Sequence, residues 1–139
     1  MKEQILKLAE QYLSEAIVLR HELHKIPEIA GKEFKTSRLL REHLSKLPVK
    51  LSEPFLETDV VALLEGKRLG RNITLRADID ALPVKEENVS DHVSAHSGMM
   101  HACGHDGHMA MLYGAARILA ELRHELPGSV RFLFQPGEE

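Results

Sequence analysis

Apolar residues at Ile5, Leu6, Leu8, Ala9, Leu13, Ile17 and Leu23 recur at the spacing of one turn of helix, which predicts an amphipathic helix from about residue 2 to 24. Pro27 ends it, and Glu28 to Gly31 make the turn. A second helix is expected from about Lys32 to Lys46, stopped by Pro48. The period then changes. Val60-Val61-Ala62-Leu63-Leu64 and Asn72-Ile73-Thr74-Leu75-Arg76-Ala77 are short apolar runs separated by Gly66 and Gly70, and both read as strands. Residues 84 to 101 are polar and read as a long loop, a kind of segment that often carries function in a compact domain. Asp106 is placed to N-cap a further helix through Met109, Leu112, Ala116, Leu119 and Leu122. Pro127-Gly128 breaks that helix, and Val130 to Phe134 reads as a strand. Helix, helix, strand, strand, helix, strand is the order of an α/β fold with helices covering a sheet.

Composition narrows the function without choosing it. With 43% hydrophobic and 28% charged residues the chain reads as an ordinary globular domain. A net charge of −3, with the basic residues scattered, gives no support for nucleic-acid or anionic-membrane binding. No apolar run approaches the ~20 residues of a membrane span. The start, MKEQILKLAEQYL, lacks the apolar core of a signal peptide. Cys103 has no second cysteine to pair with, so it is free for chemistry and fits a reducing compartment; a cytoplasmic location is expected. Gln135-Pro136-Gly137-Glu138-Glu139 directly follows a strand that reads as central, so the expectation is that the chain is part of a longer one.

Three short stretches carry chemistry. His101-Ala102-Cys103-Gly104-His105-Asp106-Gly107-His108 packs histidines, a thiol and a carboxylate in front of a helix. Residues two apart on an extended segment can face the same way, so Cys103 and His105 can share one ion. A thiolate with an imidazole suits zinc, cobalt, nickel or manganese better than calcium or magnesium. Gly104 and Gly107 would let backbone approach such an ion without a Cβ clash. The competing reading is a polar loop whose histidines cap the helix, and His101 and His108 are candidates only for supporting positions. At Glu138-Glu139 adjacent side chains on extended backbone point apart, which suits a division of labour between metal ligand and general base; the alternative is a solvated acidic turn. Asp78 and Asp80 follow a strand at spacing two, where a carboxylate can orient a metal ligand or pair with Arg76.

The strings RHELHKIPE, GKEFKTS, LRADIDALP, GMMHACGHDGHMA and VRFLFQPGEE together resemble the amidohydrolase branch of the aminoacylase-like metallopeptidases, over nearly the whole chain. That branch holds N-acyl-amino-acid, hippurate and auxin-conjugate hydrolases and N-acetyldiaminopimelate deacetylases. The resemblance implies a three-layer helix-sheet-helix zinc-peptidase-like catalytic domain, of which residues 1–139 are the N-terminal part, the rest and a lid or dimerisation domain lying downstream. It implies two divalent metal ions, manganese or zinc first and cobalt or nickel after them. Cys103 would bridge or share the ions, with His105 and Glu139 as further ligands and additional histidines beyond residue 139. Glu138 would be general base to a metal-activated water, and Asp78 the aspartate that orients a ligand. In the wider clan a metal-binding histidine stands two residues before that aspartate; here Arg76 stands there and His105 takes over. Gly137 departs from an expected alanine.

The activity implied is hydrolysis of the amide bond of a small N-acyl amino acid, with no nucleic-acid or membrane partner and with room for a homodimer. Rival readings are N-acetyldiaminopimelate deacetylation or dipeptide cleavage, a non-catalytic metal-binding domain, and nucleophilic catalysis by Cys103 with a nearby histidine. With part of the ligand set absent, the chain as given is expected to bind metal poorly and to turn over nothing.

Overall fold

The computed structural model describes residues 1–139 apart from the side chain of Arg68. Its elements are α1 (Lys2–Lys25), α2 (Phe34–Leu44), β1 (Lys50–Leu51), β2 (Val60–Glu65), β3 (Arg68–Asp78), α3 (His105–Glu121) and β4 (Pro127–Gln135). The strands form one sheet in the order β1-β2-β4-β3. β1 with β2 and β2 with β4 run antiparallel, whereas β3 and β4 run parallel and are joined through α3. A parallel pair needs such a crossover because the end of the first strand and the start of the second lie at opposite ends of the sheet.

Burial along β4 alternates, with Val130, Phe132 and Phe134 inward, and these meet Val60, Ala62 and Leu64 of β2. The same core takes Leu19 and Leu23 from α1, Leu40 and Leu44 from α2, and Met109, Leu112, Tyr113 and Ala116 from α3. Full burial of each large side chain stabilises by about 1.5–3 kcal/mol. Within each strand the inward residues alternate with outward ones and all join one core, so the helices lie on one face of the sheet, and Thr74, Arg76 and Arg131 are exposed on the other. The expected α/β class is met, and the described residues supply two layers, one helical and one of sheet.

The differences from expectation have local causes. β1 is only two residues long and too short to leave a pattern. In α1 the covered stripe runs through Leu8, Tyr12, Ala16, Leu19 and Leu23, while Ile5, Leu6, Leu13 and Ile17 are exposed. α2 starts later than expected and is capped from a distance: the Glu28 carboxylate accepts the amides of Lys35 and Thr36 at 3.2 and 2.9 Å, satisfying donors a helix start leaves open. α3 is not capped by Asp106. Gly104 occupies the N-cap position at φ 80°, and Asp106 sits inside the first turn with its side chain turned to α1. Nothing lies within 4 Å of where a Gly104 Cβ would be, so the glycine serves backbone conformation rather than close approach to an ion.

Candidate metal centre

β3 and β4 finish side by side, with Asp78 in register with Gln135. The carboxyl ends of parallel strands are where α/β folds gather ligands, and here three segments meet: the end of β3, the start of α3, and the segment after β4. Asp78, His105 and Glu138 each offer a ligand atom, all within 4.8 Å of one another. Two metal bonds of ~2.1 Å span about 4.2 Å end to end, so small movements would close this group on one ion. Cys103 is exposed beside them, near Glu139.

His105 has the geometry of a metal-ligating imidazole. Its ring is buried, and Nδ1 lies 2.8 Å from the backbone carbonyl oxygen of Asp80. A carbonyl only accepts, so Nδ1 carries the proton and Nε2 presents its lone pair to the cluster, the arrangement of a metal-ligating imidazole. Nε2 lies 3.9 Å from Glu138 Oε2. Charge points the same way. Asp78, Asp80, Glu138 and Glu139 crowd the site, and the described cation bonded there is Arg76, on Asp78 Oδ1 at 2.5 Å. The Glu139 carboxylate, as acceptor for the S–H, then partial desolvation and the surrounding carboxylates, push the Cys103 thiol above its usual range. A divalent cation is what such a cluster would accept. The residues fit the group.

Asp80 is the residue that the sequence reading underrated. Its side chain is buried, and Oδ2 accepts the backbone amides of Glu138 and Glu139 at 2.8 and 2.9 Å. Its carbonyl holds His105, and its Oδ1 lies 3.3 Å from the same Nδ1. Asp78, for which the resemblance implies an orienting role, lies with His105 and Glu138 in the cluster. The spacing-two pair Asp78 and Asp80 was the available signal; which of the two reaches under the site was not readable. Glu33 was also missed. It is fully buried and accepts from the Gly137 amide at 3.1 Å. Gly137 has φ 66° with open space around a Cβ position, so alanine there meets no clash but costs about 1–2 kcal/mol in the left-handed region.

Of the supporting candidates, His101 is buried with neither ring nitrogen hydrogen-bonded among the described residues, and burial brings its pKa down to about 4. His108 is exposed, its ring centroid 5.8 Å from that of His105. Behind them, Asp106 Oδ2 takes His24 Nδ1 at 2.9 Å and Arg20 Nε at 3.2 Å, and His24 Nε2 meets Glu86 at 3.0 Å. This chain ties the first turn of α3 and the long loop to α1. Burial disfavours the Glu86 carboxylate, but bonds from the Ser94 amide, His24 and Asn88 outweigh it and bring its pKa to about 2. Burial likewise disfavours charge on His24, but Glu86 and Asp106 outweigh it and raise its pKa.

The signs give a pH window. Glu86 is lowered from 4.5, so its stabilisation is present above that value and is lost as pH falls toward about 2. His24 is raised from 6.5, so its stabilisation is full below that value and is lost as pH rises through the folded pKa. The network is therefore strongest between these limits. Thermal unfolding followed against pH is expected to lose on the order of 2 kcal/mol through the acid limb, and Glu86→Gln is expected to flatten that limb. An unchanged limb in the variant would assign it to other carboxylates.

An apolar groove of about 480 Å³ between α1 and α3, lined by Leu13, Ile17, Met111 and Ile118, lies apart from the cluster. No helix among the described residues is long and apolar enough to cross a membrane.

Fold and donor set together define a class: an α/β protein with a candidate divalent-metal centre at the ends of parallel strands. Residues 74–139 match the profile described as peptidase family M20/M25/M40. The N-acyl-L-amino acid amidohydrolase of Geobacillus stearothermophilus is 45% identical over 139 residues, spanning 99% of this chain and 37% of its own length. Thermostable carboxypeptidase 1 of Saccharolobus solfataricus is 44% identical over 88% of this chain and 32% of its own. A Bacillus subtilis crystal structure, described as a dinuclear metal-binding peptidase of the M20 family, superposes with a TM-score of 0.89 at 40% identity, over 93% of this chain and 36% of that one. Nearly the whole chain is thus similar to a solved structure from the M20 family, and residues 74–139 match the family profile. The chain spans about a third of the length of the curated relatives it matches.

Proposed function

We propose that this chain is the N-terminal part of the catalytic domain of a metal-dependent amidohydrolase that cleaves N-acyl amino acids. The observation that carries the reading is the meeting of Asp78, His105 and Glu138 within 4.8 Å at the ends of β3 and β4. Cys103, His105 and Glu139 are the proposed ligands, Glu138 the general base, and Asp78 the aspartate that orients a ligand. Two divalent ions, manganese or zinc foremost, would polarise the scissile carbonyl and acidify a water toward neutral pH.

The chain's own residues do the remaining work. Glu138 is half-exposed, so its carboxylate can reach a water at the cluster. It takes the proton as that water attacks the carbonyl, and returns it to the departing amine as the C–N bond breaks. Asp80 holds His105 in one tautomer and fixes the backbone beneath both glutamates. Cys103 is a poor candidate nucleophile in the metal-free chain, because its thiol is pushed up whereas reactive cysteines are pushed down.

The test is a panel of N-acetyl, N-benzoyl, N-acetyldiaminopimelate and dipeptide substrates given to the complete protein loaded with manganese or zinc. Preferential turnover of acyl amino acids supports the reading. Preferential cleavage of peptides or of the diaminopimelate substrate moves the protein to a neighbouring substrate class, the first of which the name of the Saccharolobus relative favours. Metal binding without turnover of any substrate would leave a non-catalytic domain.

A further inference from the structure

Three successive backbone amides carry the segment that ends in the two glutamates, and all three are held by buried carboxylates from elsewhere in the chain. Glu138 and Glu139 donate to Asp80. Gly137 donates to Glu33 Oε1 at 3.1 Å, across 104 positions of sequence. The same Oε1 accepts the Gly31 amide at 3.0 Å, and Oε2 accepts the Thr58 hydroxyl at 2.9 Å. Glu33 is therefore a fully buried acceptor that joins the loop before α2, the turn before β2 and the segment after β4. A buried carboxylate is costly unless its lone pairs are satisfied, and here satisfying them fixes where the chain goes next. Gly137 lies in the left-handed region, has no side chain and has nothing within 4 Å of a Cβ position, so no side-chain packing at that residue fixes its orientation. The hydrogen bond to Glu33 does.

We propose that Glu33 is a positioning residue for the Glu138-Glu139 segment, setting the direction in which the Glu138 carboxylate enters the site. It acts through the backbone and touches neither substrate nor metal. The proposal rests on the reading of Glu138 as general base.

The chemistry of the contacts separates positioning from mere stability. Glutamine at position 33 keeps one oxygen for the Gly31 and Gly137 amides, and its NH2 can donate to the Thr58 hydroxyl, which accepts as well as donates. Aspartate is one methylene too short to reach all three. In the complete metal-loaded protein, Glu33→Ala and Glu33→Asp are expected to lower kcat about 10- to 100-fold, the usual effect of losing a group that orients a site. KM should stay near wild type, and Glu33→Gln should restore kcat. Thr58→Val removes a bond on the far oxygen only, so it is expected to lower Tm while leaving kcat unchanged. Wild-type kcat in Glu33→Ala or Glu33→Asp, whatever the drop in Tm, overturns the proposal. So does a loss of kcat in Thr58→Val equal to that of Glu33→Asp, or a folded Glu33→Gln as impaired as Glu33→Asp. Glu138→Gln, assayed beside them, keeps the two ideas apart. If it retains turnover the base assignment fails; if it is inactive while the Glu33 variants are normal, only the positioning role fails.

Discussion

Glu138→Gln in the complete metal-loaded protein is expected to lower kcat by about 10²–10⁴-fold, the range supplied by a positioned general base. The substitution keeps the size and shape of the side chain, and leaves the Glu138 amide bonded to Asp80, because that bond uses backbone alone. What it removes is the capacity to take a proton from water and return it to the amine. KM should therefore change little, and the loss should appear equally in kcat and kcat/KM, as for an interaction made only in the transition state. Steady-state kinetics on one acyl amino acid suffice. Near-normal turnover would mean that another group moves the proton, and Asp78, which shares the cluster, would be the first to test.

Asp80→Ala is expected to have the second-largest effect, through geometry. The change leaves the Asp80 carbonyl on His105 but deletes the oxygen that accepts two adjacent amides at 2.8 and 2.9 Å. Those amides lie beneath a proposed ligand and the proposed base together. Loss of a partner that orients a metal site costs about 10–100-fold in affinity or activity, and two amides stranded in a partly buried place add about 1–3 kcal/mol of instability each. Metal affinity by titration and Tm should fall together, whereas in Glu138→Gln only turnover should fall. Asp80→Asn, which keeps one acceptor oxygen, is expected to recover most of the metal affinity. If Asp80→Ala bound metal as tightly as wild type, the backbone beneath the glutamates would not depend on Asp80.

Periodicity made the framework legible. The long helices and the strands around Val60, Leu75 and Phe132 follow from apolar spacing, because their buried faces supply most of the core. β1 has two residues and exists only through its pairing with β2. The start of α3 was misread because Asp106 has a capping residue's identity but is drawn to His24 and Arg20, some 80 positions away in sequence. The site divides in the same manner. Cys103, His105, Glu138, Glu139 and Asp78 could be named from short motifs, because their chemistry is carried by residue type and close spacing. Asp80 and Glu33 could not be given roles, although both stand inside recognised strings. Their work depends on bonds that span 58 and 104 positions, which no local pattern encodes.

The central claim is that this chain brings a thiol, an imidazole and carboxylates together to hold divalent metal for amide hydrolysis. Its most direct test is metal content, by elemental analysis, alongside hydrolysis of an N-acyl amino acid, on the complete protein and on Cys103→Ala prepared in parallel. The account predicts stoichiometric metal and turnover in the wild type, with both lost or severely reduced in the variant. If metal and turnover both survive the loss of the thiol, Cys103 is not a ligand and the assignment of the centre is wrong.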